Sequence, residues 1–334
     1  MVLSSHPFSL PKVVEHPADD PTLARLPADV RLRFEVLGFN LRFETNHALV
    51  ERAARESFGP TLAEDGEPEL SVRILVHHVP EEPHWRPSQP LIREQLGLYY
   101  SISSRATSVV AHPAAGVAMG FISEQAASHA EFLRFAIVQT AAFGLVTPRT
   151  LAAVHSACIW RDGTMLMLRG IPGAGKSTLA YAALRSGFSL IAEDVVYVRE
   201  EAGRMLCHGL PWIMYMLPDA ARFFPELEGQ MTVVRANGER KIGIAVNEWF
   251  PGQVRTAAEV GPIVFVARSP DAGHRIVRLD PEEALPLLDL TAIDAERHGQ
   301  GGPQLWDYFL EQPLYRIEVG VDPLAAAALL DELL

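Results

Sequence analysis

The chain has 334 residues, 48% of them hydrophobic, which is material for more than one buried core. Its formal net charge of −12 excludes the basic face that a nucleic-acid binder needs. Its two cysteines, Cys158 and Cys207, lie far apart with no metal-ligand spacing, so both read as small buried hydrophobes of a reducing, cytoplasmic setting. Residues 1–11 lack the basic start and apolar run of a secretory signal. No apolar stretch reaches the roughly 18 residues of a membrane span, so no membrane contact is expected.

Residues 1–30 are rich in Pro, His and Asp without periodicity and read as a loose arm. A smaller α+β domain is expected over 31–147. Strands are predicted at 34–43, 70–77, 98–103 and 117–122 from their β-branched and aromatic content. Asn46 is placed as the cap of a helix over 48–57, and 80–90 forms a proline-rich loop. A strongly apolar helix is predicted over 128–143, stopped by Gly144 and Pro148. This region carries no chemical motif and no repeat.

The chain changes character from Pro148 onward, over 148–334. Two apolar runs, 155–161 and 164–169, flank Asp162-Gly163, the signature of a two-residue hairpin turn. A tight turn sets Arg161 opposite Thr164 and, counting outward, His155 opposite Gly170. That register delivers His155 to the loop that follows, as a proton-handling or phosphate-contacting group. The loop reads Gly170-Ile171-Pro172-Gly173-Ala174-Gly175-Lys176-Ser177, between the apolar run 165–168 and a helix that continues through Thr178 to about Ser186.

Each part of that loop has a use. Its glycines let successive N–H groups point inward at phosphate oxygens. The helix N-terminus adds partial positive charge. Lys176 is placed to reach the β- and γ-phosphates, and the Ser177 hydroxyl suits Mg²⁺. The motif predicts ATP and Mg²⁺ as cofactors, with Gly170, Pro172, Gly173, Ala174, Gly175, Lys176, Ser177 and Thr178 around the nucleotide.

A strand over 188–192 then runs into Glu193-Asp194 and is expected to continue through 195–198. Of this acidic pair, Asp194 is assigned to the metal with Ser177, and Glu193 to the proton of an attacking hydroxyl. A turn over 235–241 presents Arg240 and Lys241 as cations for a transferring phosphoryl group before a strand at 242–246. Lys241 is taken as the catalytic one of the two. Another strand is expected at 263–267, with helices at 281–290 and 323–334 packing on the sheet's edge.

The run HSACIWRDGTMLMLRGIPGAGKSTLAYAALRSGFSLIAEDVV resembles the kinase core of the HPr kinase/phosphorylase family. That family joins a hairpin histidine, a phosphate loop and an Asp-Asp pair at the spacing that His155, Gly170–Ser177 and Glu193-Asp194 show here. The resemblance implies an α/β fold, a P-loop domain of mixed sheet and flanking helices, here preceded by the smaller α+β domain read from the residues. It also implies a Mg·ATP-dependent kinase. Three features depart from the family: Glu193 replaces its first Asp, its glycine-rich signature after the acidic pair is missing, and the first domain does not match its usual N-terminal domain, so phosphorolysis and HPr itself are not implied. The chain is more similar to HPr-kinase-related proteins of biosynthetic clusters, some of which phosphorylate a serine of a ribosomal precursor peptide. A peptide or small protein is therefore the expected partner, and a homo-oligomer is compatible with the sequence. A small-molecule hydroxyl kinase and a nucleotide-gated interaction protein remain as alternatives.

Overall fold

The computed structural model describes residues 27–334 apart from 64–66, 83, 89, 236–237, 270–272, 294–295 and 297–300, so most of the predicted arm over 1–30 lies outside it. Among the described residues the chain is mixed α/β, with four sheets and flanking helices.

Strands β1 (Val30–Val36) and β2 (Phe39–Thr45) form a hairpin, where one strand was expected over 34–43. The two residues between them, Leu37 and Gly38, have φ of 52° and 80°, the left-handed backbone that a tight hairpin turn requires. Helix α1 (Ala48–Phe58) is capped by His47, whose Nδ1 accepts the Leu49 N–H at 3.3 Å. Asn46, the predicted cap, is used elsewhere: its side chain bonds both backbone groups of Val76, tying β2 to the next strand. That strand is β3 (Leu70–His77), followed by β4 (Leu91–Gln95), β5 (Leu98–Ile102), β6 (Ser108–His112) and β7 (Val117–Ser123). They complete a seven-stranded sheet in the order β1-β2-β3-β7-β6-β5-β4. Strand β4 escaped prediction because all five of its residues are exposed, which removes the alternation of a half-buried strand.

A short helix α2 (Glu124–Ala127) leads into a long one, α3 (Ala130–Arg149). Gly144 does not end α3. A Cβ there would stand 2.8 Å from that of Ala111, so this glycine lets the helix press close to β6. Pro148 lies in the final 3₁₀ turn. By length and composition α3 could cross a membrane, contrary to the sequence-based expectation. Its Leu133, Ile137, Val138, Ala142 and Leu145 are nevertheless buried in the core of the seven-stranded sheet.

The second region opens with β8 (Ala152–His155), β9 (Ala157–Arg161) and β10 (Thr164–Arg169). Asp162 and Gly163 have φ of 51° and 91°, and the ladder runs from Arg161 opposite Thr164 to Ala157 opposite Leu168, the predicted register. It goes no further. Strand β10 ends at Arg169, and the chain curls away into helix α4 (Lys176–Arg185), so Gly170 offers no strand partner. His155 sits opposite Val195 instead.

The remaining strands are β11 (Ser189–Ala192), β12 (Val195–Glu201), β13 (Arg204–His208), β14 (Ile213–Met216), β15 (Thr232–Val234), β16 (Arg240–Ala245), β17 (Ala257–Glu259), β18 (Ile263–Arg268), β19 (Arg275–Arg278) and β20 (Leu314–Val319). Three sheets result, ordered β11-β9-β10-β18-β20-β19, β17-β13-β12-β8 and β14-β16-β15. Strands β10, β18 and β20 are parallel, and α4 packs on their sheet through Leu179, Ala183 and Leu184. The strand predicted to run unbroken through Glu193-Asp194 is two strands in different sheets.

Candidate functional site

Two strand pairs change sheets at one place. On one side β8 gives way to β9 at Ser156; on the other β11 gives way to β12 at Glu193-Asp194. Ala192 pairs with Cys158 and Val195 with His155, which is one register counted from either side of the break. Glu193 and Asp194 fall between these pairs, outside both ladders, and both line a cleft. His155 Nε2 lies 3.2 Å from Asp194 Oδ1.

The glycine loop faces this seam. Gly173 and Gly175 have φ of 80° and 101°, so an L side chain at either would be strained. Gly170 is constrained differently, since a Cβ there would come within 2.8 Å of the Val266 carbonyl. Gly175 immediately precedes α4, whose first N–H groups have no partner within the helix. Lys176 is buried and its Nζ donates to the Gly170 carbonyl at 2.7 Å. Burial lowers its pKa, against the opposing pull of Asp194 and Glu193. The Ser177 hydroxyl donates to Glu193 Oε1 at 2.6 Å.

The two carboxylates have different environments. Burial pushes the Glu193 carboxyl above the usual range, opposed by the Ser177 hydrogen bond, while the Asp194 charge raises it further. Asp194 is held low, first by its hydrogen bond to His155, although desolvation works against this. The Asp194 side chain is 68% exposed, so of the two carboxylates that line the cleft it is the more open.

The cleft has a volume of about 540 Å³, and its walls bring together His155, Pro172, Gly173, Ala174, Gly175, Lys176, Ser177, Thr178, Glu193, Asp194 and Lys241. Gly170 lies beneath the loop. Arg240 is exposed and off the wall, since neighbours on β16 point to opposite faces; Lys241 is the inward one, with its Nζ 3.7 Å from Glu239. Other wall residues were not foreseen, among them Arg268, Tyr215, Met216 and Arg222. Arg268, at the end of β18, donates from Nε to the Gly173 carbonyl at 3.0 Å; its position just past the apolar run 263–267 could have flagged it. Tyr215 and Met216 from β14, and Arg222 beyond it, carry no sequence signal.

Among the described residues no three His, Cys, Asp or Glu side chains gather as a metal cage. The oxygen donors that could hold a metal are Ser177, Glu193 and Asp194.

No family model matches the sequence. None of the curated proteins does either. Among solved structures, the HPr(Ser) kinase/phosphatase from Coxiella burnetii is similar at a TM-score of 0.29 and 13% identity, over 54% of this chain and 88% of that one. This is a distant likeness at most.

Proposed function

We propose that this chain is a Mg·ATP-dependent phosphotransferase that moves the γ-phosphoryl group to a hydroxyl, namely a serine of a peptide or small protein. The observation that carries the proposal is one cleft holding a glycine loop at a helix N-terminus, Lys176, Ser177, the His155–Asp194 pair and Glu193. In this reading 148–334 is the nucleotide-binding domain and 31–147 a smaller α+β domain built against it. ATP use and two free, buried thiols suit a reducing, cytoplasmic setting.

Hard oxygen donors without a protein cage suit a Mg²⁺ that arrives with its phosphates and keeps several waters. Bound there, it would neutralise charge on the β- and γ-phosphate oxygens. The protein's own groups do the rest. Loop N–H groups and the start of α4 cradle the phosphates, and Lys176 turns from the Gly170 carbonyl to meet them. As the acceptor oxygen attacks phosphorus and ADP leaves, the hydroxyl proton passes to Asp194, which His155 keeps oriented and ionised.

Glu193, buried against Ser177, belongs on the metal side. This exchanges the roles assigned to the two carboxylates from sequence, because exposure decides which one an acceptor can reach. Lys241 supplies a cation from the facing wall. Leu217, Asp219, Arg222 and Phe223 offer apolar surface and both charge signs to residues flanking the acceptor serine.

The test is incubation with Mg²⁺, labelled ATP and serine-containing peptides, read by mass spectrometry. A peptide gaining one phosphoryl group supports the proposal. Nucleotide binding with no transfer to any hydroxyl would leave the nucleotide-gated interaction protein in its place.

A further inference from the structure

Through α3 the N-terminal region touches a wall residue of the cleft, Tyr215. Segment Leu133–Gln139 of α3 is a π-helical stretch, a local widening that often accompanies functional sites. It carries Arg134, which is 6% exposed and donates from Nη1 to the Tyr215 hydroxyl at 2.6 Å, across 81 residues of sequence. Arg235 stacks between two rings, 3.9 Å from the centroid of Phe135 and 4.1 Å from that of Tyr215. Glu131 is the carboxylate beside both guanidiniums, 3.8 Å from that of Arg235.

Burying a guanidinium is expensive, and Arg134 still leaves its Nε without a partner. A Met or Leu would fill the same space at lower cost. What an arginine adds is direction, because its fork pins the Tyr215 hydroxyl to one place.

Tyr215 is a wall of the cleft, and its position matters to two site residues. Its backbone lies beside the Glu193 carboxylate and acts to lower that group's pKa. It also pairs with Gly243, and its neighbour Met216 with Ile242, on the strand that carries Lys241.

We propose that Arg134 is a positioning residue for phosphoryl transfer, fixing Tyr215 and so the Glu193 and Lys241 side of the cleft from outside the nucleotide-binding region. This rests on the phosphotransferase reading above. Neither Arg134 nor the Tyr215 hydroxyl it holds is part of the glycine loop, so nucleotide binding should be spared while turnover suffers.

The experiment measures ADP release from Mg·ATP with a serine-containing peptide as acceptor. Arg134→Met and Tyr215→Phe should each lower kcat roughly 10- to 100-fold, with the KM for ATP within about twofold of the wild type. The double variant should be no slower than the slower single one, because both remove the same contact. Arg134→Lys should recover part of the loss, which a merely space-filling role would not produce. If Arg134→Met does not fold, Tyr215→Phe and Arg134→Lys carry the test. Unchanged kcat in folded single variants, or losses that multiply in the double, overturn the inference while leaving the transferase intact. A wild-type chain that releases no ADP overturns both.

Discussion

The seven-stranded sheet over 30–123 and the three sheets over 152–319 treat their strands differently. In the first region every strand stays in one sheet, and its inward side chains close a single core with α1 and α3. Even its buried carboxylate, Glu81, is used internally, accepting hydrogen bonds from Thr107 and Ser123 at 2.6 Å each. In the second region two strand pairs leave one sheet for another, and His155, Glu193 and Asp194 sit where they cross. A continuous ladder consumes backbone groups and alternates its side chains between two faces. A break frees neighbouring side chains to point the same way, into a cleft.

The sharpest way to break this contrast is Lys176→Ala. Turnover should fall roughly 10²–10³-fold, while the melting temperature holds or rises, since burial disfavours that cation. A variant with wild-type turnover would remove the glycine loop from the chemistry.

Next in size is the ion pair beneath the loop. Arg169, the last residue of β10, bonds Glu296 at 3.0 Å with both side chains fully buried. Glu296→Gln should cost about 3–5 kcal/mol in urea unfolding, because it strands a buried charge. A loss below about 1 kcal/mol would show that water reaches the pair.

The corresponding test in the first region is Leu145→Ala in α3, where the side chain is fully buried. The cost should be about 2–5 kcal/mol, with nucleotide affinity of the folded protein unchanged by titration. An altered affinity would mean that the two regions are coupled beyond the Arg134 contact.

The smallest expected effect concerns pH. The His155 hydrogen bond holds the Asp194 pKa below its ordinary value, so His155→Ala should let it rise. The acid limb of kcat/KM should then move to higher pH. The same depression contributes stability that is present above the unfolded pKa and lost as pH falls through the folded one. The variant should therefore lose less stability than the wild type on acidification, measured by thermal melts. An acid limb that does not move would detach His155 from Asp194.

Local chemistry made much of this molecule legible. The Asp162-Gly163 turn follows from two residues that tolerate positive φ, and the glycine loop from spacing around Lys176 and Ser177. Strands such as β3 and β7 announce themselves by composition. Elements with purely tertiary causes did not. Asn46 is a helix cap by propensity but a strand tie in fact, and Gly144 is a helix stop by propensity but a close-packing point against β6. Strand β4 is exposed along its length and pairs with β5 at the edge of the sheet.

The amino-acid order by itself determined that His155, the glycine loop and Glu193-Asp194 occur beside apolar strand-like runs within forty residues of one another. It could not say that His155 pairs with Val195 rather than Gly170, nor which carboxylate is the more open to the cleft, because register stops where a strand changes sheets. Nor could it bring Tyr215 and Arg268 to that cleft, and Arg134 behind Tyr215, from distant segments. Contacts between such segments depend on how whole sheets pack, and periodicity and propensity, which are local, do not record that.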